Sequence, residues 1–269
     1  MLDASTILTG IVVIALLDVL SLSLGFLTLS GTAAASVIGL LVFFFGGWRW
    51  FIILLVFLVV SSLFTKFKYS HKHAIGAAQE KKGARSWLNV VANGLTSAFF
   101  ALGNPLFPQE MMLSGFIGAV SAAFADTLST EVGVLNPSPP RLITDLKREV
   151  PVGTSGGVSV LGELSVLLST FILALTVSTL GLGPFSFSRV FFIAGVSGFW
   201  GSTSDSIIGA TYQAKYRCTV CGKIVETREH CGKPAQYLKG IGVLDNNGVN
   251  FIATWIGALT GVLSRWFMF

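Results

Sequence analysis

Charge is what this sequence has least of. Of its 269 residues, 12% are Asp, Glu, Lys or Arg, while 52% are hydrophobic and mean hydropathy is +0.75. A soluble domain carries about 25% charged residues, so the composition excludes a water-soluble globular domain. Cysteine is also scarce. The three present, Cys218, Cys221 and Cys231, lie in one short segment, which excludes a disulfide framework. No basic stretch precedes the first apolar run, so no cleavable signal is expected. The one glycine-rich loop lacks the following Lys of a Walker A sequence.

What is present is a series of long apolar runs: Ser5–Leu27, Ala33–Phe45, Trp50–Phe64, Trp87–Leu102, Met111–Leu128, Val158–Leu182, Phe191–Ala210 and Val249–Phe267. In lipid every backbone N–H and C=O needs an internal partner, and helices supply it. The expected fold is all-α: a polytopic integral membrane protein of about eight transmembrane helices. Residues 1–269 form a single membrane domain, with a loop at 213–240 inserted between the last two spans.

Positive charge is unevenly placed. Six Lys/Arg fall in Lys66–Arg85, three in Arg141–Glu149 and six in Lys215–Lys239. The positive-inside rule puts these segments in the cytoplasm and both termini outside. The expected location is the cell membrane, with the polar clusters on the cytoplasmic face. The basic charge is then a topology signal, and no nucleic-acid partner is expected. One-sided polarity disfavours a transporter, whose substrate site lies near the midplane.

Two clusters end apolar runs. Asp126, Thr127, Ser129, Thr130 and Glu131 follow Met111–Phe124, and Ser202, Ser204 and Asp205 follow Gly201. Carboxylates beside lipid are costly and mark built sites. Paired carboxylates with hydroxyls suit Mg²⁺, which takes one or two carboxylates plus phosphate oxygens and waters. Asp126, Glu131 and Asp205 are the candidate magnesium ligands. Phe116–Gly133 also aligns on Phe192–Gly209 without gaps, with Phe, Ile, Val, Ser, Thr and Gly repeated in register. This is a possible same-orientation internal repeat.

Gly153-Thr154-Ser155-Gly156-Gly157, with Ser159, precedes an apolar span, where backbone N–H groups and the helix dipole can cradle phosphate. Glu163 follows one turn later. Arg85, Asn89 and Asn93 form a stripe spaced i, i+4, i+8, with Lys82 nearby. An Arg fork there can clamp phosphate. Asn246, Asn247 and Asn250 open the last span, and Asp245 or Asn246 is equally a helix cap. Arg141 is a further phosphate candidate, and with Asp145 equally a surface pair. Cys218, Cys221, His230 and Cys231 have the spacing of a closed, structural Zn²⁺ site.

Taken in order, several of these pieces resemble one family. They are Lys82-Gly83-Ala84-Arg85 with Asn93-Gly94, the Asp126–Gly133 stretch, Pro140-Arg141, Pro151–Ser159, Asp205-Ser206 with Gly209-Ala210, the Cys/His loop, and Asn246–Asn250. The family is the integral-membrane family of domain of unknown function 92, which includes transmembrane protein 19 and a chloroplast phytyl-phosphate kinase. The resemblance implies phosphoryl transfer from a nucleoside triphosphate, CTP above all, to an isoprenoid monophosphate lipid such as phytyl or geranylgeranyl phosphate. Two alternatives stay open: a lipid-phosphate cytidylyltransferase, and a transporter or flippase of a phosphorylated lipid.

Overall fold

A computed structural model describes residues 4–79, 81–183 and 185–267. Nine α-helices account for most of it: α1 (Ala4–Ser23), α2 (Leu29–Leu41), α3 (Trp48–Lys66), α4 (Tyr69–Ala74), α5 (Trp87–Gly103), α6 (Gln109–Gly133), α7 (Val160–Thr179), α8 (Phe187–Thr211) and α9 (Asn246–Ser264). A π-turn at Val42–Gly46 prolongs α2, so the short second run becomes a span of 18 residues.

The fold is helical but not purely so. Strands β1 (Arg141–Leu142), β2 (Asp145–Glu149) and β3 (Gly157–Val158) form one small antiparallel sheet in the order β2-β1-β3. In the loop before α9, β4 (Lys215–Arg217), β5 (Ile224–Val225) and β8 (Gln236–Lys239) form a second, and β6 (Glu229–His230) pairs with β7 (Lys233–Pro234). These strands lie in polar connections, where no apolar periodicity announces them.

By length and composition, five helices can cross a membrane: α1, α2 with its π-turn, α3, α6 and α7. Eight crossings are therefore not established by these criteria. Helices α5, α8 and α9 coincide with the other three expected runs, but α5 is shorter, and α8 and α9 give up apolar residues to Ser, Thr, Asn and Gly. Those small and polar side chains are used for packing and for the site.

The layering is that of a membrane bundle. Helix α6 is central and packs on α5, α7, α8 and α9. Of its apolar window 83% is buried, against 17% for α1 at the periphery. Large apolar side chains such as Leu16 and Val19 on α1, and Leu167 and Phe171 on α7, are exposed outward. Such patches would aggregate in water and are expected in lipid.

Close approach at the centre depends on small residues. Gly118 and Ala122 of α6 face Gly257 and Gly261 of α9. A Cβ on Gly118 would strike the Gly257 carbonyl, and one on Gly261 the Ser114 carbonyl. Helices α6 and α8 run parallel, since Ser121 Oγ donates to Ala194 O at 2.6 Å and Ser129 Oγ meets Ser202 Oγ at 3.2 Å, both pairs 73 residues apart. Parallel packing brings the Asp126 and Asp205 ends of the two helices together.

Candidate functional site

Helix α6 does not stop at its polar stretch. It continues to Gly133, so Asp126–Glu131 lie within the helix and are rigidly held. The last turns of α6 and α8 and the first turns of α5, α7 and α9 converge on one polar cavity of about 810 Å³. The 151–158 loop and the Cys/His loop complete its wall. Three helix N-termini therefore point toward the space that α6 and α8 supply with carboxylates. The first arrangement attracts anions, the second cations.

Asp126 and Asp205 both line the cavity and lie close enough to repel each other. Asn250 donates to Asp205 Oδ2 at 2.8 Å and to Asn246 O at 3.1 Å, in the amide orientation that satisfies both. Among the described residues nothing donates to the Asp126 carboxylate. Two neighbouring carboxylates, of which only Asp205 receives an amide donor, are under-compensated, and this donor set fits a divalent cation with open positions.

Glu131 departs from the expectation. Its side chain is buried, and Oε2 accepts from Lys72 Nζ at 2.6 Å. Lys72 also donates to Phe64 O at 2.8 Å. Glu131 lines the same cavity as Asp126 and Asp205, but its Oε2 is engaged by a buried lysine on α4. Its Oε1 has no partner among the described residues.

Arg85 is anchored through its backbone. Its N–H donates to Phe26 O and its C=O accepts from Thr28 N, both at 3.0 Å. A Cβ on Gly31 would collide with that carbonyl. The guanidinium lies over Phe57, with Cζ 5.7 Å from the ring centroid. Burial lowers the Arg85 pKa to about 10, and the Glu131 charge partly offsets this, so it stays protonated at neutral pH. Its Nη2 is buried without a partner among the described residues. Asn89 and Asn93 line the same cavity, with Asn93 Nδ2 donating to Asn89 O at 2.9 Å.

The glycine loop also reaches the cavity, but its hydroxyls are engaged. Ser159 caps α7, accepting from Gly162 N and donating to Gly133 O, each at 3.2 Å. Thr154 Oγ1 donates to Pro151 O. Ser155 donates to Gln213 Oε1 at 2.9 Å, and Gln213 Nε2 donates to Glu226 Oε2 at 2.8 Å. What the loop offers a ligand is backbone. Gly156 has φ +79° and packs against Ser206 and Ala210 of α8, where a side chain has no room.

Of the other expected residues, Thr127, Thr130, Gly153, Gly157, Asn246 and Asn247 line the cavity. Three do not. Lys82 is exposed, and Lys81 takes the rim instead. Ser202 is buried in the α6–α8 seam, bonded to Ser129. Arg141 is turned outward by the β1–β2 hairpin, pairing with Glu149 at 3.8 Å and Leu146 O at 2.9 Å. Residues that sequence reasoning missed are Lys72, Gln213, Glu226 and Arg228. Glu226 and Arg228 line the cavity, and burial pushes the Glu226 carboxyl up despite help from Gln213 and Lys215. Lone polar residues in a basic loop carried no periodic signal.

Cys218, Cys221, His230 and Cys231 place one ligand atom each within 4.8 Å of one another, a cluster that could hold a metal ion. Neighbouring residues His230 and Cys231 can both face inward because Cys231 takes φ +54°. The Cys221 and Val220 N–H groups donate to Cys218 Sγ at 3.4 Å. Chiefly through Cys221, they help bring that thiol down to about 6.

The fold and cavity define a polytopic helical membrane protein with one polar chamber built from helix ends. The chain belongs to the family described as Integral membrane protein DUF92, whose model matches residues 12–258. It is 33% identical to Protein PGR of Arabidopsis thaliana over 264 residues, 88% of this chain and 89% of that protein. It is 30% identical to an uncharacterized membrane protein of Methanocaldococcus jannaschii, across 87% and 83% of the two chains. It is also 30% identical to Protein VTE6, chloroplastic, of Arabidopsis thaliana, across 90% of this chain and 66% of that protein. No solved structure matches.

Proposed function

We propose that this chain is a membrane prenyl-phosphate kinase. It transfers the γ-phosphoryl group of a nucleoside triphosphate to an isoprenoid monophosphate and releases the diphosphate lipid and a nucleoside diphosphate. The observation that carries this reading is the shared chamber: an under-compensated carboxylate pair facing three helix N-termini and Arg85, among helices whose outer faces are apolar. The resemblance to a family that includes a phytyl-phosphate kinase supplies the acceptor class and CTP as donor. The positive-inside distribution supports a cytoplasmic chamber in a cell membrane. We read 1–269 as one membrane domain carrying the 213–240 loop.

In this reading an oxygen of the acceptor monophosphate attacks the γ-phosphorus, and the bond from that phosphorus to the β–γ bridging oxygen breaks. The acceptor oxygen is already ionised near neutral pH, so no strong general base is required. Catalysis is positioning and charge neutralisation. Arg85 fixes the acceptor phosphate, with Asn89 and Asn93 beside it. The Gly153–Gly157 backbone and the α7 and α9 N-termini, with Thr127, Thr130, Asn246 and Asn247, orient the donor phosphates. Lys81 and Arg228 add positive charge at the rim. Asp126 and Asp205, with Asn250 orienting Asp205, are the residues that would hold Mg²⁺, which when bound neutralises phosphate charge.

The test uses purified protein with geranylgeranyl or phytyl phosphate, Mg²⁺ and each nucleoside triphosphate, with products identified by mass. Prenyl diphosphate with nucleoside diphosphate is the expected outcome. Pyrophosphate with a nucleotidyl lipid would make the protein a cytidylyltransferase, and translocation of the lipid without nucleotide turnover a flippase.

We assign the Cys/His cluster to structural Zn²⁺, since three thiols and one imidazole with no open position fit that ion. The Ser155–Gln213–Glu226 chain ties the glycine loop to this knuckle. Elemental analysis is expected to find stoichiometric zinc in the wild type and little in Cys221→Ser. Zinc removal should raise KM for the nucleotide several-fold while leaving the membrane helices folded. A zinc-free wild type, or an unchanged KM after removal, counts against the assignment.

A further inference from the structure

Beside the polar chamber lies a second, apolar crevice of about 90 Å³ between α1, α2, α3 and α5. Its walls are mostly hydrocarbon, among them Ile14, Leu17, Ile38, Phe51, Leu54 and Phe57. Arg85, Asn89 and Asn93 line both spaces, so the two meet there. Arg85 Nη2 is buried with no hydrogen-bond partner among the described residues. The crevice adjoins α1, the least buried of the five candidate spans.

We propose that this crevice receives the phosphate-proximal end of the acceptor's hydrocarbon tail, and that Ala35 of α2 gauges its bulk. The inference rests on the phosphoryl-acceptor reading above. Two features set the orientation. Arg85 offers an unpaired cationic donor at the polar end, suited to a phosphate. Apolar walls continue from it, suited to hydrocarbon leaving the headgroup. Asp18 also lines the crevice, its Oδ2 accepting from Ser36 Oγ at 2.7 Å. The volume admits the start of the chain, and the remainder lies between α1, α2 and lipid. Enlarging the wall by substitution is sterically limited where Gly39 already faces Phe51, since a Cβ there would come within 3.1 Å of the ring. Ala35 has a side chain to extend.

The test is photolabelling without nucleotide, using geranylgeranyl phosphate that carries a diazirine on its first isoprene unit. Adducts are expected on α1, α2 or α3, reduced at least tenfold in Ala35→Phe and retained in Leu54→Ala. In turnover assays Ala35→Phe should raise KM for the long-chain acceptor at least tenfold and leave methyl phosphate turnover unchanged. Adducts on the α7 or α8 outer faces, or undiminished crevice labelling in Ala35→Phe, would overturn the proposal. Crevice labelling without any phosphoryl transfer would leave the tail site standing and remove the kinase reading. Transfer with labelling elsewhere would do the reverse. Unchanged methyl phosphate turnover, and an unshifted melting temperature in detergent, show that Ala35→Phe is folded.

Discussion

Replacing Asp126 with Asn is expected to reduce prenyl-phosphate phosphorylation by about 10²–10³-fold, the scale seen when one charge-stabilising group is taken from a preorganised site. The same change should raise the melting temperature of the metal-free protein. Asp126 is a carboxylate with no donor among the described residues, facing the Asp205 carboxylate. Asn removes that repulsion and the cost of holding a second anion in the chamber, a gain on the order of 0.5–2 kcal/mol. The two effects have opposite signs, which separates loss of function from loss of fold. Thermal shift adds a third readout. Mg²⁺ with nucleotide should stabilise the wild type by mass action and stabilise Asp126→Asn far less. Wild-type-like turnover in Asp126→Asn would sink the kinase assignment, whatever the melting temperature does.

Much of this architecture is legible in the sequence, for reasons that differ by element. The spans α1, α3, α6 and α7 are long apolar runs, and such runs in lipid have few alternatives to a helix. The onset of α8 is less legible: the helix begins at Phe187, four residues before the expected start, because Ser186 caps it by accepting from Arg189 N. The meeting of Asp126 and Asp205 was foreshadowed by the matched segments around them, and parallel packing of α6 and α8 is the physical means.

Other features needed tertiary structure. Glu131 follows Asp126 by five residues, which at 3.6 residues per turn places the two side chains about 140° apart around the helix. They therefore face different neighbours, and Glu131 meets Lys72, whose own segment looked like part of a topology-setting basic loop. Arg141 and Lys82 have the right chemistry for phosphate but lie in a hairpin and a turn, whose direction no hydrophobic pattern specifies. Gln213 and Glu226 matter because a loop folds back onto the chamber, a long-range contact with no local signature.

Breaking the Lys72–Glu131 pair should be the most destabilising polar substitution in the molecule. Both side chains are nearly inaccessible, at 1% and 4% exposure, and their charged atoms are 2.6 Å apart. Removing one partner strands the other as a buried charge, at a cost of about 3–5 kcal/mol. Lys72→Met alone leaves Glu131 with only the distant Arg85 charge, and Glu131→Leu alone leaves Lys72 with the Phe64 carbonyl. Removing both leaves no stranded charge, so the double variant should recover most of the lost stability. Thermal unfolding of the two single variants and the double variant in detergent measures this directly. The cycle also decides the role of Glu131. If it serves only to hold α4 against α6, the double variant keeps phosphoryl transfer within about tenfold of wild type, since Asp126, Asp205 and Arg85 are untouched. If the double variant is as stable as wild type yet inactive to the level of Asp126→Asn, Glu131 belongs to the reacting site and the separation drawn between it and the Asp126–Asp205 pair is wrong.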